Sequence, residues 1–423
     1  LMTPGLALFY GGMVRTKSVL NMMMMSFGTI ALVSILWVLY GFSLSFSTDA
    51  KWGLIGNLKH LGMGKTIDQV SGASGDQIPL LAFAAFQLMF AIITPALISG
   101  AAADRMRFSA WMVFMGIWTT VVYFPVAHWV FFFDNGHGGW IADHLKALDF
   151  AGGTAVHVNA GAAGLALAIV LGKRHGWPRE QHKPHNLPLV LLGAALLWFG
   201  WFGFNAGSAL AANGLASVAF MNTQVATAGA AIGWLVVERI RFGHATTLGM
   251  ASGAVAGLVG ITPACASVNP LGAVLLGLVT GALCSLAISL KYKLGFDDSL
   301  DVVGVHMVGG ATGALLIGLL ATKTVTGLSG GTAEGLFYGG GLSQLGRQAV
   351  AVGAVGGYSF VLTYVIAKVL DKTMGLRVDR EVELAGIDAA EHAETGYDLS
   401  PVSSGHATGP PVAAEPAPAE VNA

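Results

Sequence analysis

Ten apolar stretches, each about twenty residues long and nearly free of charge, leave this chain few ways to fold. They run from 19 to 46, 78 to 103, 108 to 132, 150 to 172, 188 to 210, 218 to 237, 247 to 266, 271 to 290, 302 to 322 and 346 to 370. A hydrocarbon layer about 30 Å thick takes about twenty helical residues to cross, and backbone groups inside it must bond within the segment. Each stretch therefore reads as a transmembrane helix. Residues 1–11 are also apolar but reach only about 16 Å as a helix, so they read as the second half of an eleventh span. The amino end is expected to be incomplete and to carry no signal peptide. The expected fold is an all-α integral membrane bundle of eleven helices over residues 1–370, with the first helix truncated.

Charged residues make up 11% of the chain and the formal net charge is -1, which leaves no basic excess for nucleic acid. Cys265 and Cys284 lie in apolar stretches without metal-ligand spacing, so neither a disulfide framework nor a metal site is expected, and no cofactor. Alternate loops hold twelve Lys and Arg against six in the opposite set, and four more in the tail join the richer set. Basic residues stay in the cytoplasm, which puts the amino terminus outside and the carboxyl terminus inside. Residues 371–399 mix acidic and apolar side chains and read as a cytoplasmic regulatory tail that docks on that face or stays solvated. Residues 400–423 are Pro- and Ala-rich without apolar periodicity and read as disordered.

Ionisable residues inside spans are costly there and point to function. His128, His157 and His306 lie within or beside apolar stretches. His157 in "GGTAVHVNAGAAG" and His306 in "DVVGVHMVGGATG" share Val-His followed by glycine at +4 and +7. One span follows an outer loop and the other an inner loop, so the two run oppositely, as in an inverted five-helix repeat with its site near the midplane. Counting depth from Asp149 and from Asp301 leaves a gap of roughly 10 Å between the two rings, within reach of contact. The competing reading has each histidine bonding a nearby carbonyl.

A second set lies in "LWFGWFGFNAGSAL", where Trp201, Phe204 and Ser208 share a helix face, and in "AFQLMFAIITP", with Phe86, Gln87 and Phe90. Aromatic faces attract cations and hydroxyl or amide oxygens accept hydrogen bonds, which suits a small cation. Spacing alone fits an interfacial aromatic belt equally well. Asp149 precedes its span as an N-cap would, and its charge also favours a cation at the outer mouth.

These segments, with "GLVGITPAC", closely resemble the ammonium transporters of the Amt/MEP/Rh family, over residues 1 to about 399. The resemblance implies eleven helices per subunit of a homotrimer in the plasma (inner) membrane, with one narrow pore per subunit and no enzymatic activity. It matches His157 and His306 to paired pore histidines, Phe90 and Phe204 to a stacked gate, and Trp201 and Thr262 to residues beside the pore. Ser208 matches the hydroxyl of the outer ammonium site, Asp149 its supporting carboxylate, and Phe86 and Gln87 its vestibule. Family members often place a Trp where this chain has Phe131, so the outer wall is Phe131 or is supplied by Trp140. The tail resembles the region that responds to PII signalling proteins.

Ammonium and K⁺ are alike in size and charge, and burying either is expensive. Ammonium alone can escape, because desolvation disfavours its charged form and lets it proceed as NH₃. The expected mechanism recruits NH₄⁺ (or methylammonium) at the aromatic site, deprotonates it and passes NH₃ along the histidines. The alternatives are a neutral-gas channel of the Rh type, an ammonium sensor, or a bis-histidine haem protein. A hydrolase is disfavoured.

Overall fold

The computed structural model describes residues 1–72, 77–134, 136–179 and 183–397, and in it the apolar stretches are helices close to their expected ends. Residues 400–423, expected to be disordered, lie outside the described residues. The first helix is α1 (Met2–Met13). It leads into α2 (Thr16–Phe46), α3 (Leu80–Ala102), α4 (Phe108–Phe131), α5 (Gly153–Leu171), α6 (Leu187–Ala209) and α7 (Gly214–Phe242). Then come α8 (Thr247–Ile261), α9 (Pro270–Leu294), α10 (Val303–Leu320) and α11 (Ser343–Thr373). Nine of these are long and apolar enough to cross a membrane; with α1 and α8 the described residues hold eleven apolar helices, consistent with the expected count. The chain is a multi-pass membrane protein.

Local chemistry marks the helix ends. Asn186, Asn213, Thr246 and Asn269 each accept a hydrogen bond from the backbone N–H three residues on, opening α6, α7, α8 and α9. Helix α8 ends at Ile261 rather than at 266, because Pro263 lacks a backbone donor and restricts the residue before it. In α5, 83% of the most apolar window is buried inside the subunit against 22% in α11, so α5 sits at the centre and α11 at the rim.

Glycines set how closely the helices approach. On α9, a side chain on Gly277 or Gly281 would overlap the carbonyls of Ala226 and Ala230 on α7. Such i, i+4 pairs of small residues let helix backbones touch where no hydrophobic gain drives association. Because backbone cannot retreat as a flexible side chain would, Gly281→Val should cost roughly 3 kcal/mol or more. A melting temperature in detergent lowered by several degrees is expected, and an unchanged one would show that α7 and α9 separate freely.

The segment after α11 docks. Its short helices α12 (Arg380–Ala385) and α13 (Ile387–His392) lie against the ends of α2, α4 and α5. Asp388 accepts the N–H groups of Leu20 and Asn21 at 3.0 and 2.8 Å, Glu391 accepts that of Phe108 at 3.0 Å, and Glu383 accepts that of His175 at 2.8 Å. Arg377 pairs with Glu383 at 2.7 Å and also donates to the Leu171 carbonyl that ends α5. Leu376 and Ile387 are fully buried. Of the two readings of residues 371–399, docking is the one seen over the described residues, which end at 397. Asp388→Ala leaves two helix-start donors unmet, so tryptic cleavage near Arg377 and Arg380 should rise several-fold; equal cleavage in both proteins would mean the contact does not hold the tail.

Candidate functional site

Each candidate histidine sits in a wide, π-helical turn at the start of its helix, Gly153–Val158 for His157 and Val303–Met307 for His306. Such turns displace side chains from the regular helical register and recur at functional sites. A thirteen-residue α-helical stretch follows each, Asn159–Leu171 and Val308–Leu320, which is the local form of the inverted repeat. The glycines at +4 explain how the rings meet. A Cβ on Gly161 would overlap the backbone of Met307, and one on Gly310 would lie 2.7 Å from the Gly153 carbonyl and 2.9 Å from the His157 Cβ. Helices α5 and α10 therefore touch at the level of the histidines.

The His157 and His306 Nδ1 atoms are 3.3 Å apart and the rings are stacked, with centroids 5.4 Å apart. Both rings are buried, and the Nε2 of His157 has no partner among the described residues. The pairing constrains the protons. Between two neutral imidazoles one Nδ1 donates and the other accepts, so one Nε2 is an acceptor and the other carries N–H. The pair thus offers one donor and one acceptor to a small neutral guest.

An unbroken series of rings leads to this pair. Phe131 lies edge-on to Phe90 at 5.9 Å, Phe90 stacks on Phe204 at 4.0 Å, Phe204 meets Trp201 at 5.8 Å, and Trp201 stacks on His157 at 5.4 Å. Phe86 adds an edge contact to Phe90 at 4.9 Å. The Trp201 indole donates to the Thr262 hydroxyl at 2.8 Å, which in turn donates to the Leu258 carbonyl, so the indole plane is locked. Helix α8 supplies that hydroxyl because it ends there. At the other end of the series, Ser208 is half-buried and donates to the Phe204 carbonyl at 2.8 Å, leaving its lone pairs free to accept. Gln87 is buried with its Oε1 unpartnered among the described residues. Of the two candidates for the outer wall, Phe131 is the ring beside Phe90, while Trp140 packs on Trp129 at 5.8 Å.

Asp149 caps the turn that holds His157. Its carboxylate accepts the N–H groups of Gly152 at 2.8 Å, Gly153 at 2.6 Å, Thr154 at 2.7 Å and Ala155 at 3.3 Å, and the Thr154 hydroxyl as well. The other half of the repeat corrects the depth count. Asp298, not Asp301, occupies the matching place: it too stands eight residues before its histidine, and it accepts the Val303 N–H at 2.7 Å. Asp301 instead takes a left-handed backbone conformation and binds Lys291 at 2.7 Å. Burial, reinforced by the charge of Asp301, pushes the Asp298 carboxyl up to about 6. Neighbouring Asp297 stays below the usual carboxylate range: burial opposes this, but two-pronged bonding from Arg174 at 2.9 Å outweighs it. Sequence reading passed over these residues; the "DDSLD" run was the available signal. His128, the third histidine, bonds the Ser45 carbonyl at 3.0 Å and faces Asp49 at 3.3 Å, away from the pair.

Residues 1–397 match the family model described as the Ammonium Transporter Family. The chain belongs to the ammonium transporter family. Among relatives of this family member is an ammonium transporter of Mycobacterium tuberculosis (strain ATCC 25618 / H37Rv), 58% identical over 98% of this chain and 91% of its own. Among solved structures, Candida albicans Mep2 superposes with a TM-score of 0.83 at 34% identity, covering 96% of this chain and 91% of that one. A structure described as a sensor Amt protein also gives 0.83, at 29% identity, covering 92% and 94%.

Proposed function

We propose that this chain transports ammonium across the plasma (inner) membrane, taking up NH₄⁺ at an outer aromatic site and passing NH₃ through the subunit. The observation that carries this reading is the continuous ring series from Phe131 to His306, buried among apolar helices. Ring faces of Phe86, Phe131 and Phe204 hold a cation by their quadrupoles, and the Ser208 hydroxyl and the Gln87 amide oxygen accept its N–H bonds. The 4.0 Å stack of Phe90 on Phe204 leaves no room for a hydrated ion, so passage strips water from the cation. Desolvation favours loss of a proton, and K⁺ has none to lose. Beyond the gate, Trp201 walls the path and the histidine pair supplies the donor and acceptor that neutral NH₃ needs. Asp149 acts at one remove, by fixing the turn that carries His157.

The test is methylammonium uptake into liposomes holding the full-length protein, with K⁺ as competitor. Saturable uptake that tenfold excess K⁺ leaves unchanged is expected. Folded, trimeric protein that takes up nothing would overturn transport in favour of a sensor with the same site.

The basic loops give the orientation of this reading, with the docked segment, residues 371–397, in the cytoplasm and the subunit in a homotrimer. The docked tail and its basic surroundings also form the surface for a PII-type signalling protein. A pull-down in which truncation at Gly375 retains as much PII protein as the full chain would remove the tail from that role.

A further inference from the structure

Helix α11 stands outside the inverted five-helix repeat, and one stripe of it is buried in the subunit. That stripe includes Gln344, Gln348, Ala351, Val355, Ser359 and Thr363, so polar side chains recur on a face that packing alone would fill with small or aliphatic ones. Polar groups buried on a membrane helix are costly unless they bond, and they mark function when they do. Thr363 accepts the Trp118 indole N–H of α4 at 2.8 Å. The others reach the segment that carries Asp149 and His157.

Gln348 is fully buried, and all of its hydrogen-bonding capacity is used. Its Oε1 accepts the Leu148 N–H at 2.7 Å and an N–H of Gln344 at 3.0 Å. Its Nε2 donates to the Leu148 carbonyl at 2.7 Å and to the Ala314 carbonyl of α10 at 3.1 Å. Residues 146–149 are neither helix nor strand, so their backbone groups must find partners elsewhere. Gln348 supplies both partners to Leu148, the residue before the Asp149 cap. Three helical turns further along α11, about 16 Å away, Ser359 donates to the Asn159 carbonyl at 2.8 Å, just past His157. One helix thus pins the capped turn on both sides. The opposite half of the repeat does the same with a charge: Arg105 donates to the carbonyl of Asp297, the residue before the Asp298 cap, at 2.6 Å. A cation in the place of Gln348 would oppose the approach of NH₄⁺ to Asp149, whereas an amide is neutral.

We propose that Gln348 is a positioning residue for ammonium passage: by clamping Leu148 it sets the Asp149 cap and, through that cap, the His157 ring against His306. This rests on the transport reading above and adds to it a residue outside the ring series. Because the outer rings are not among its partners, Gln348 governs the rate of passage and the rejection of K⁺ rather than the capture of the cation.

Methylammonium uptake into liposomes, with and without K⁺, tests it in the full-length protein beside Gln348→Met, Gln348→Glu and Thr363→Val. Gln348→Met keeps the volume and loses every bond. Its maximal rate should fall roughly tenfold, with the half-saturating concentration within about twofold of the parent's, and its uptake should become sensitive to K⁺. Gln348→Glu retains the acceptor for the Leu148 N–H and should fall between, which keeps a folded variant in hand if Gln348→Met unfolds. Thr363→Val strips a buried hydrogen bond from the same helix face and should lower the melting temperature as well, yet keep the parent's rate and K⁺ resistance. Parent-like rates and K⁺ resistance in both Gln348 variants, beside a transporting parent, would overturn this proposal alone. An equal loss of uptake in Thr363→Val would overturn it too, by making α11 a general support. A parent that takes up nothing would overturn the transport reading and this proposal with it.

Discussion

Uptake of methylammonium by His157→Ala or His306→Ala protein in liposomes should fall roughly tenfold to hundredfold below the parent rate. The size of the effect follows from the bond the pair shares. Removing either ring leaves the other Nδ1 without its partner at 3.3 Å. An unmet buried polar group costs about 1 to 3 kcal/mol, and each 1.4 kcal/mol is about a factor of ten in rate. Alanine also opens space where Trp201 and the second histidine had packed, and a cavity lined by an imidazole admits water. Water in the constriction reduces the cost of passing a charged ion, so uptake by these variants should become sensitive to K⁺. Parent-like rates and undisturbed resistance to K⁺ in both folded variants would remove the histidines from the path.

Asp149→Ala is expected to be the most damaging single change for stability. Its carboxylate meets four backbone N–H groups and a hydroxyl, and alanine would leave those donors facing one another at the start of α5. Loss of such a partly buried charged cap costs roughly 3 kcal/mol. Because the turn it caps runs from Gly153 to Val158, His157 loses its position in the same step, and uptake should fall with the melting temperature. Asp149→Asn keeps an acceptor oxygen and should lie between the two. Thr154→Ala removes a single bond and should cost about 1 kcal/mol. A melting temperature for Asp149→Ala equal to that of the parent would mean the turn is held by its helix neighbours instead.

The spans were legible because membrane helices leave a simple trace. Twenty apolar residues can satisfy their backbone in no other way inside hydrocarbon, so among the described residues nine long helices appear within a few residues of their expected limits. The histidines were legible too, since an ionisable residue in an apolar run stands out and the shared glycine spacing tied the two together. That spacing has a plain physical meaning in the fold: Gly161 and Gly310 are where the two helices touch.

Other features had no trace in one dimension. Phe131 and Trp140 are equally aromatic, and only the path of the loop after α4 sends one to Phe90 and the other to Trp129. Asp298 and Asp301 are both acidic and near a span, yet backbone geometry gives the cap to the first and Lys291 to the second. Docking of the tail was one of two readings its mixed acidic and apolar residues allowed; which donors α12 and α13 would meet was hidden, because those donors lie hundreds of positions away. By itself the sequence determined the membrane environment, the helices and the residue types at their centre, for these depend on local hydrophobicity and backbone bonding. The tertiary structure decided which rings stack, which carboxylate caps which turn and where the tail rests, because those contacts join distant segments and depend on ångström-scale packing.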